Sequence, residues 1–260
     1  MAQRDIIRTE AVVLRAIEYG ETSQIVTLFT RAKGLITVIA KGARRTDSKF
    51  GSSLQPMAYT QVVFYYKPTR NLQTLSESAH VESFHDLRRS LEKITLGLQM
   101  VELIYALLEE EDAHPNVFNL TVDALRTLNE TTARAANVWP YFQLQLATRL
   151  GLAPSIHRDD IANLPDEGGL LALESGALLP PHAQPQSGRR ASRSALRAFA
   201  IFARANLVDI LRMRLDEGLR REVETLIEDY MRYQFEEAYP TKSRPIIGQL
   251  LDASESGSAS

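Results

Sequence analysis

Four cations crowd into the eleven residues Lys41-Gly-Ala-Arg-Arg-Thr-Asp-Ser-Lys-Phe-Gly51: Lys41, Arg44, Arg45 and Lys49, against one acid, Asp47. The segment directly follows the strand-like run Leu35–Ala40. A basic loop leaving a strand adds side-chain charge to backbone amides that no longer pair in a sheet, and that combination suits a polyanion. The same composition also serves a solvated loop that only keeps a domain soluble. Arg15, Lys67 and Arg70 lie at other strand ends and extend the candidate surface. Tyr65 and Phe50 are rings that could stack on bases, because a π-face accepts any base while cations follow the sugar–phosphate chain. For Tyr65 the alternative is a place in a barrel core. If all four loop cations meet phosphates of one strand, the log–log salt slope is about −3, a loss of roughly 50-fold between 50 and 200 mM.

Other chemistry is hard to assemble from this chain. It has no glycine-rich phosphate loop ending in Lys-Ser/Thr, no GxGxxG, no HExxH and no GxSxG. The five histidines (80, 85, 114, 157, 182) are scattered, and the five-residue gap between His80 and His85 suits neither a helix face nor a usual metal spacing. His157-Arg-Asp-Asp160 has no nucleophile near it in sequence. The acidic run Glu109–Asp112 reads as a solvated helix end rather than a metal site. Asp5, Glu10, Glu18 and Glu21 do not make a catalytic carboxylate cluster. No catalytic residue, metal ligand or cofactor is expected. With no cysteine at all, disulfides and thiolate metal sites are excluded. No apolar run approaches ~18 residues, so no transmembrane helix is expected. The N-terminus also lacks the apolar core of a secretory signal, which makes the cytoplasm the default compartment.

These residues need elements to position them, and the pattern divides the chain in two. Residues 1–83 carry eleven Lys/Arg against seven Asp/Glu, a balance of +4; residues 84–260 carry nineteen against twenty-five, or −6. Five strand-like runs fill the basic front: Thr9–Ile17, Thr22–Arg31, Leu35–Ala40, Tyr59–Lys67 and Leu72–Val81. Their number and shortness predict a small closed barrel of the OB or SH3 type. From Asp86 the spacing turns helical. Leu87, Leu91, Ile94, Leu98, Val101, Tyr105 and Leu108 make one stripe and Leu96, Met100, Leu103 and Leu107 another, as in a helix central to a bundle. Helices follow at Asn116–Asn129 and Trp139–Leu150, with Trp139 structural. Residues 154–188, rich in Pro and Gly, hold a hairpin over Leu170–Leu179 that turns at Glu174-Ser-Gly176. Three more helices follow: one capped by Ser192 or Ser194, one over Asn206–Leu215, and a last long one through Leu219, Val223, Leu226, Tyr230 and Tyr233. The fold class is α+β, with an OB-type barrel over 1–83, a helical domain over 84–251 and a disordered tail over 252–260.

Several segments together resemble the bacterial DNA repair and recombination mediator family RecO. They are Glu10–Arg15, Tyr19-Gly-Glu21, Ile25–Thr30, Lys33-Gly34, Lys41–Arg45 through Phe50-Gly51, Gln55-Pro56, Glu82–Phe84, Glu102-Leu103, Gly151-Leu-Ala-Pro154 and Lys242-Ser-Arg244. The resemblance covers nearly the whole chain in the same order. It implies an N-terminal OB-fold, a helical C-terminal domain, binding to single- and double-stranded DNA, annealing of complementary strands, and loading of the RecA recombinase at gaps. The implied partners are RecR and the C-terminal tail of the single-stranded DNA-binding protein (SSB). The implied location is the cytoplasm, with the nucleoid, and no membrane. On the DNA side it points to Lys41, Arg44, Arg45 and Lys49. For the acidic SSB tail, Arg126 and Arg134 are the candidates. Many members carry a four-cysteine zinc knuckle after the Gly-x-x-Pro segment. Here the positions near Asp159, Ala162, Pro180 and Ala183 hold no thiols, so no zinc is expected and the loop must be held by apolar packing.

Three functional readings remain. One is a DNA-binding and strand-annealing mediator. Another is a protein-interaction scaffold whose DNA contact is supplied by its partner. The third, an enzyme acting on nucleotides, would need a carboxylate cluster on the barrel. The first requires the basic rim to be exposed and its guanidinium groups uncommitted.

Overall fold

The structure, a computed structural model, describes residues 5–240. The chain forms two compact units, one comprising the residues up to Asn129 and the other Glu130–Tyr239. The Lys242–Arg244 motif and the 252–260 tail lie outside the described residues.

In the first unit, β1 (Asp5–Tyr19), β2 (Ser23–Thr30), β3 (Gly34–Ala40), β4 (Tyr59–Tyr66) and β5 (Leu72–Glu82) close into a barrel in the order β1-β2-β3-β5-β4. Alternation sends one residue in two inward, and Val13, Val26, Leu28, Val38, Val62, Phe64 and Leu75 fill the interior with Phe50 and Leu54 from the basic loop region. The long β1 serves two neighbours. Its first half pairs with β4 (Ile6↔Tyr65) and its second with β2 (Ile17↔Ile25), with an irregularity between Val13 and Arg15. The parallel pairing of β3 with β5 (Ile39↔Thr74) completes the closure.

Two helices belong to this unit. Ser90 caps α1 (Leu91–Leu107) by accepting from the Lys93 amide, and α2 (Pro115–Glu130) starts on proline, whose missing N–H costs nothing there. Phe118 of α2 packs on Phe29 with ring centroids 5.5 Å apart, so Phe29 is buried on the outer side of β2 rather than inside the barrel. The acidic run after α1 is more than a solvated helix end. Glu110 bridges Leu35 in parallel, and the Glu111 amide donates to the Leu35 carbonyl at 3.0 Å. Tyr66 donates its hydroxyl to Glu111 Oε2 at 2.6 Å. Because β5 reaches only Thr37–Ile39, the start of β3 has an open edge, and this strap covers it. Gly34 permits the approach: a Cβ there would lie 1.9 Å from the Asp112 carbonyl oxygen.

The second unit contains α3 (Val138–Arg149), α4 (Arg158–Ala162), β6 (Gly169–Ala172), β7 (Leu178–Leu179), β8 (Gly188–Ala191), α5 (Arg193–Arg204), α6 (Leu207–Arg212) and α7 (Glu217–Phe235). Its core includes Phe142, Leu146, Leu196, Phe199, Phe202, Val223, Leu226 and Tyr230. The expected hairpin is a three-stranded sheet, β7-β6-β8, with Leu170, Leu171 and Leu178 buried. A carboxylate fastens its loops: Glu174 accepts from the amides of Gln186 (3.2 Å) and Ser187 (3.4 Å). The residues here do not fit zinc, since the soft thiolate donors of such a knuckle are replaced by Asp159, Ala162, Pro180 and Ala183. Among the described residues no three His, Asp or Glu side chains come together to hold a metal. No helix among them is long and apolar enough to cross a membrane.

Candidate nucleic-acid interface

Cross-strand partners share a face of a sheet, so the register maps the outside of the barrel. One row reads Ile17, Ile25, Ile39, Thr74, Tyr65 and Ile6 across β1, β2, β3, β5, β4 and back to β1. Ile6 is 65% exposed, Ile17 40% and Tyr65 39%. Tyr65 therefore faces outward, and its neighbours Phe64 and Tyr66 supply the interior. Phe50 is buried in the core and has no free face for a base. The neighbouring row on one side carries Arg15, Thr27, Thr37 and Leu72, with Arg15 exposed. Tyr19, 53% exposed, continues the Arg15–Ile17 face of β1 and was not singled out from the sequence. Its signal was the two-residue spacing Arg15, Ile17, Tyr19.

The basic loop is exposed at Lys41, Arg44, Arg45 and Lys49, but it is not a row of free cations. Arg44 donates through Nη1 to the carbonyls of Gly20 (3.1 Å) and Glu21 (3.3 Å), and its Nη2 lies 2.9 Å from Glu18 Oε2. This ties the loop to the β1–β2 hairpin. Arg45 Nε pairs with Asp47 Oδ1 at 3.0 Å. The loop's amides are also engaged, Arg44 N–H with Thr22 O (3.0 Å) and Arg45 N–H with Gly42 O (3.2 Å). Lys49 lies over the Phe50 ring, 5.3 Å from its centroid. Among the described residues Lys41 has no ion-pair partner. Counting Glu18 and Asp47 against the four cations leaves a net +2. Both acids are more than two-thirds exposed (70% and 72%), so each pair stands in high dielectric and is worth about 0–1 kcal/mol. A phosphate oxygen can replace either acid at small cost.

At the β4–β5 turn, Gln73 is 2% exposed and works as a pin. It accepts from the Lys67 amide (2.9 Å) and donates to the Lys67 carbonyl (3.0 Å) and the Arg70 carbonyl, which fixes the turn that carries Lys67 and Arg70. Arg15, Lys41, Arg44, Lys67 and Arg70 thus decorate strand ends and the outer face. Lys49 and Tyr65 lie toward β4.

The two candidates for protein contact lie on different units. Arg126 of α2 holds Glu82 of β5 at 2.9 Å and Asp123 at 3.1 Å, and the hydrogen bond to Glu82 pushes its pKa further up. Arg134, with a left-handed backbone at φ 58°, donates to the Leu211 carbonyl at 2.8 Å. Nearby, Asn137 donates to the carbonyls of Ile210 (2.7 Å) and Met213 (3.1 Å) and accepts from Arg220 (2.7 Å). Both guanidinium groups are therefore engaged within their own units. A more open basic surface runs along α5 and α6: Arg197, Ile201 and Arg204 at helical spacing, then Val208, with Ile201 40% and Val208 60% exposed. Leu196, Phe199 and Phe202 fill the buried face of the same helix, and only that face was used in reading the sequence.

Two family models match, the recombination protein O N-terminal model over residues 1–84 and the C-terminal model over 88–245. The chain belongs to the RecO family. It is 57% identical over 253 residues to the DNA repair protein RecO of Salinibacter ruber, covering 97% of both chains. It is 30% identical to the DNA repair protein RecO of Chloroherpeton thalassium, covering 95% of this chain and 99% of the relative. To that of Desulfatibacillum aliphaticivorans it is 29% identical over 241 residues. RecO membership assigns the chain to DNA repair, consistent with an OB-type barrel that shows cations and apolar side chains on its outside.

Proposed function

We propose that the protein is a non-enzymatic recombination mediator. It binds single- and double-stranded DNA, anneals complementary strands and, with RecR, helps load RecA on strands coated by SSB. The observation that carries this reading is the outer face of the barrel. An exposed row with Tyr65 and Ile17 is flanked by Arg15, Lys41 and the β4–β5 turn cations, with Arg44 and Arg45 held on exposed, exchangeable acids. Rings and aliphatic side chains take bases of any sequence while the cations take phosphates. A net gain of only two charges makes binding modest, so localisation falls to protein partners. The Arg197–Ile201–Arg204–Val208 surface suits an acidic tail such as that of SSB because its cations stand beside exposed Ile201 and Val208, although Arg204, like Arg134, also donates to a backbone carbonyl (Ile156, 2.8 Å). The test is annealing of two complementary fluorescent strands, bare and coated with SSB, at low salt. Acceleration is expected with both, and no acceleration of bare strands refutes the reading.

The internal pairing of Arg44 and Arg45 favours a second reading, a scaffold whose DNA contact comes from its partner. On that reading the double reversal Arg44→Glu with Arg45→Glu leaves DNA affinity unchanged and reduces capture of RecR. On the mediator reading it lowers DNA affinity.

A further inference from the structure

A cleft of about 340 Å3 opens on the outside of the barrel between the first half of β1, β4 and β5, lined by Arg8, Lys49, Gln61, Val63, Glu77 and the Ser78–Ala79 segment. Register explains the grouping: Arg8, Val63 and Glu77 form one ladder row, and Gln61 and Ala79 are partners in another. Val63 and Ala79 give an apolar floor. Gln61 and Glu77 stand beside it with hydrogen-bonding groups. Arg8 is held only loosely, 3.7 Å from Glu77, with side chains 70% and 63% exposed, and among the described residues Lys49 has no ion-pair partner and lies over the Phe50 ring. Tyr65 lies two residues beyond Val63 on the same face of β4.

We propose that this cleft binds one nucleotide of a second single strand. Its phosphate lies at Arg8 and Lys49, its base rests on Val63 and Ala79 with its edge toward Gln61 and Glu77, and the next base stacks on Tyr65. The volume matches a single nucleotide, near the lower bound for small-ligand sites. The first strand occupies the β1–β2–β3 side, where Arg15, Ile17, Tyr19 and Lys41 lie. Because β1 pairs with β4 along its first half and with β2 along its second, one strand contributes to both surfaces. Two strands held on one small barrel meet at high effective concentration, which is what annealing needs. This inference rests on the nucleic-acid reading above.

The experiment counts short oligonucleotides, about eight nucleotides long to suit one such barrel. Non-complementary DNA is bound per full-length chain under tight-binding, low-salt conditions, and the annealing rate is measured in parallel. The wild type is expected to bind two per chain, and Arg8→Glu with Gln61→Ala to bind one and anneal at least about tenfold more slowly. The cation-retaining Arg8→Lys is expected to keep both properties, which separates charge from fold. Saturation of the wild type at one strand, or a double variant that still binds two, overturns the cleft assignment and leaves DNA binding standing. Saturation at zero overturns the nucleic-acid reading and this proposal with it.

Discussion

If Arg44 and Arg45 are held by Glu18 and Asp47 until a phosphate displaces those acids, removing the acids' charge must tighten DNA binding. The perturbation is Glu18→Gln with Asp47→Asn, two exposed, near-isosteric changes away from the core. Each exposed pair is worth about 0–1 kcal/mol, so removing both ion pairs, with Arg44 still donating to the Gly20 and Glu21 carbonyls, strengthens binding by up to about 2 kcal/mol, or roughly 30-fold at low salt. The salt dependence is sharper evidence than the affinity. With Lys41 and Lys49 alone on phosphates the single-strand slope is about −0.7 × 2 ≈ −1.4, and with all four cations about −0.7 × 4 ≈ −2.8. Between 50 and 200 mM salt those slopes correspond to losses of about 7-fold and about 50-fold. Fluorescence anisotropy of a labelled single strand across that range gives both quantities. Because phosphate displaces the acids in the wild type as well, both proteins should show the steep slope, and the double variant should bind more tightly at 50 mM. Equal affinity and the shallow slope of about −1.4 in both proteins would mean that these arginines never reach phosphate, and the loop would then be a structural tether between the hairpin and β3.

The two aromatic candidates should separate cleanly. Tyr65→Ala should cost single-strand affinity about 1–3 kcal/mol with little change in Tm, whereas Phe50→Ala should cost about 3–5 kcal/mol of stability in denaturant titration because Phe50 fills the barrel core. Glu174→Ala leaves the Gln186 and Ser187 amides to water and should destabilise the second unit by about 0.5–1.5 kcal/mol, while a chelator should leave the wild-type Tm unchanged. Burial pushes the Tyr230 hydroxyl, which donates to the Leu152 carbonyl at 2.9 Å, up to about 12. The unfolded chain ionises near ~10, so this stabilisation is complete below that pH and is lost as pH rises toward 12, by about 1.4 kcal/mol per pH unit. In thermal melts Tyr230→Phe should show a shallower alkaline decline than wild type.

Strand alternation placed all five barrel strands, because inward Val26, Leu28, Val62 and Phe64 alternate with outward Ile25, Thr27, Val63 and Tyr65. The same alternation could not say which face was inside for Tyr65, since both faces of β4 are apolar, nor that Phe29 would leave the barrel for Phe118. The third strand of the small sheet was invisible because Gly188-Arg-Arg-Ala191 has no apolar alternation, and it forms because β6 offers it a backbone edge. The acidic strap over β3 depends on backbone bonds between residues more than seventy positions apart, which no local pattern encodes. In the candidate site, the type and position of the cations were legible, but their pairing was not. Glu18 lies far from Arg44 in sequence and meets it only because the β1–β2 hairpin folds back on the loop. The cleft at Arg8, Gln61 and Glu77 was missed for a related reason: its members lie on three strands and only register brings them together.

The claim on which the rest depends is that the outside of the barrel grips the sugar–phosphate chain through its basic loop. The direct measurement is anisotropy titration of a labelled single strand over a salt series with the wild type and with Arg44→Glu plus Arg45→Glu. A loss of affinity at 50 mM salt and a flatter slope in the double variant are expected. Superimposable curves at every salt concentration would contradict the claim and transfer the DNA contact to a partner protein.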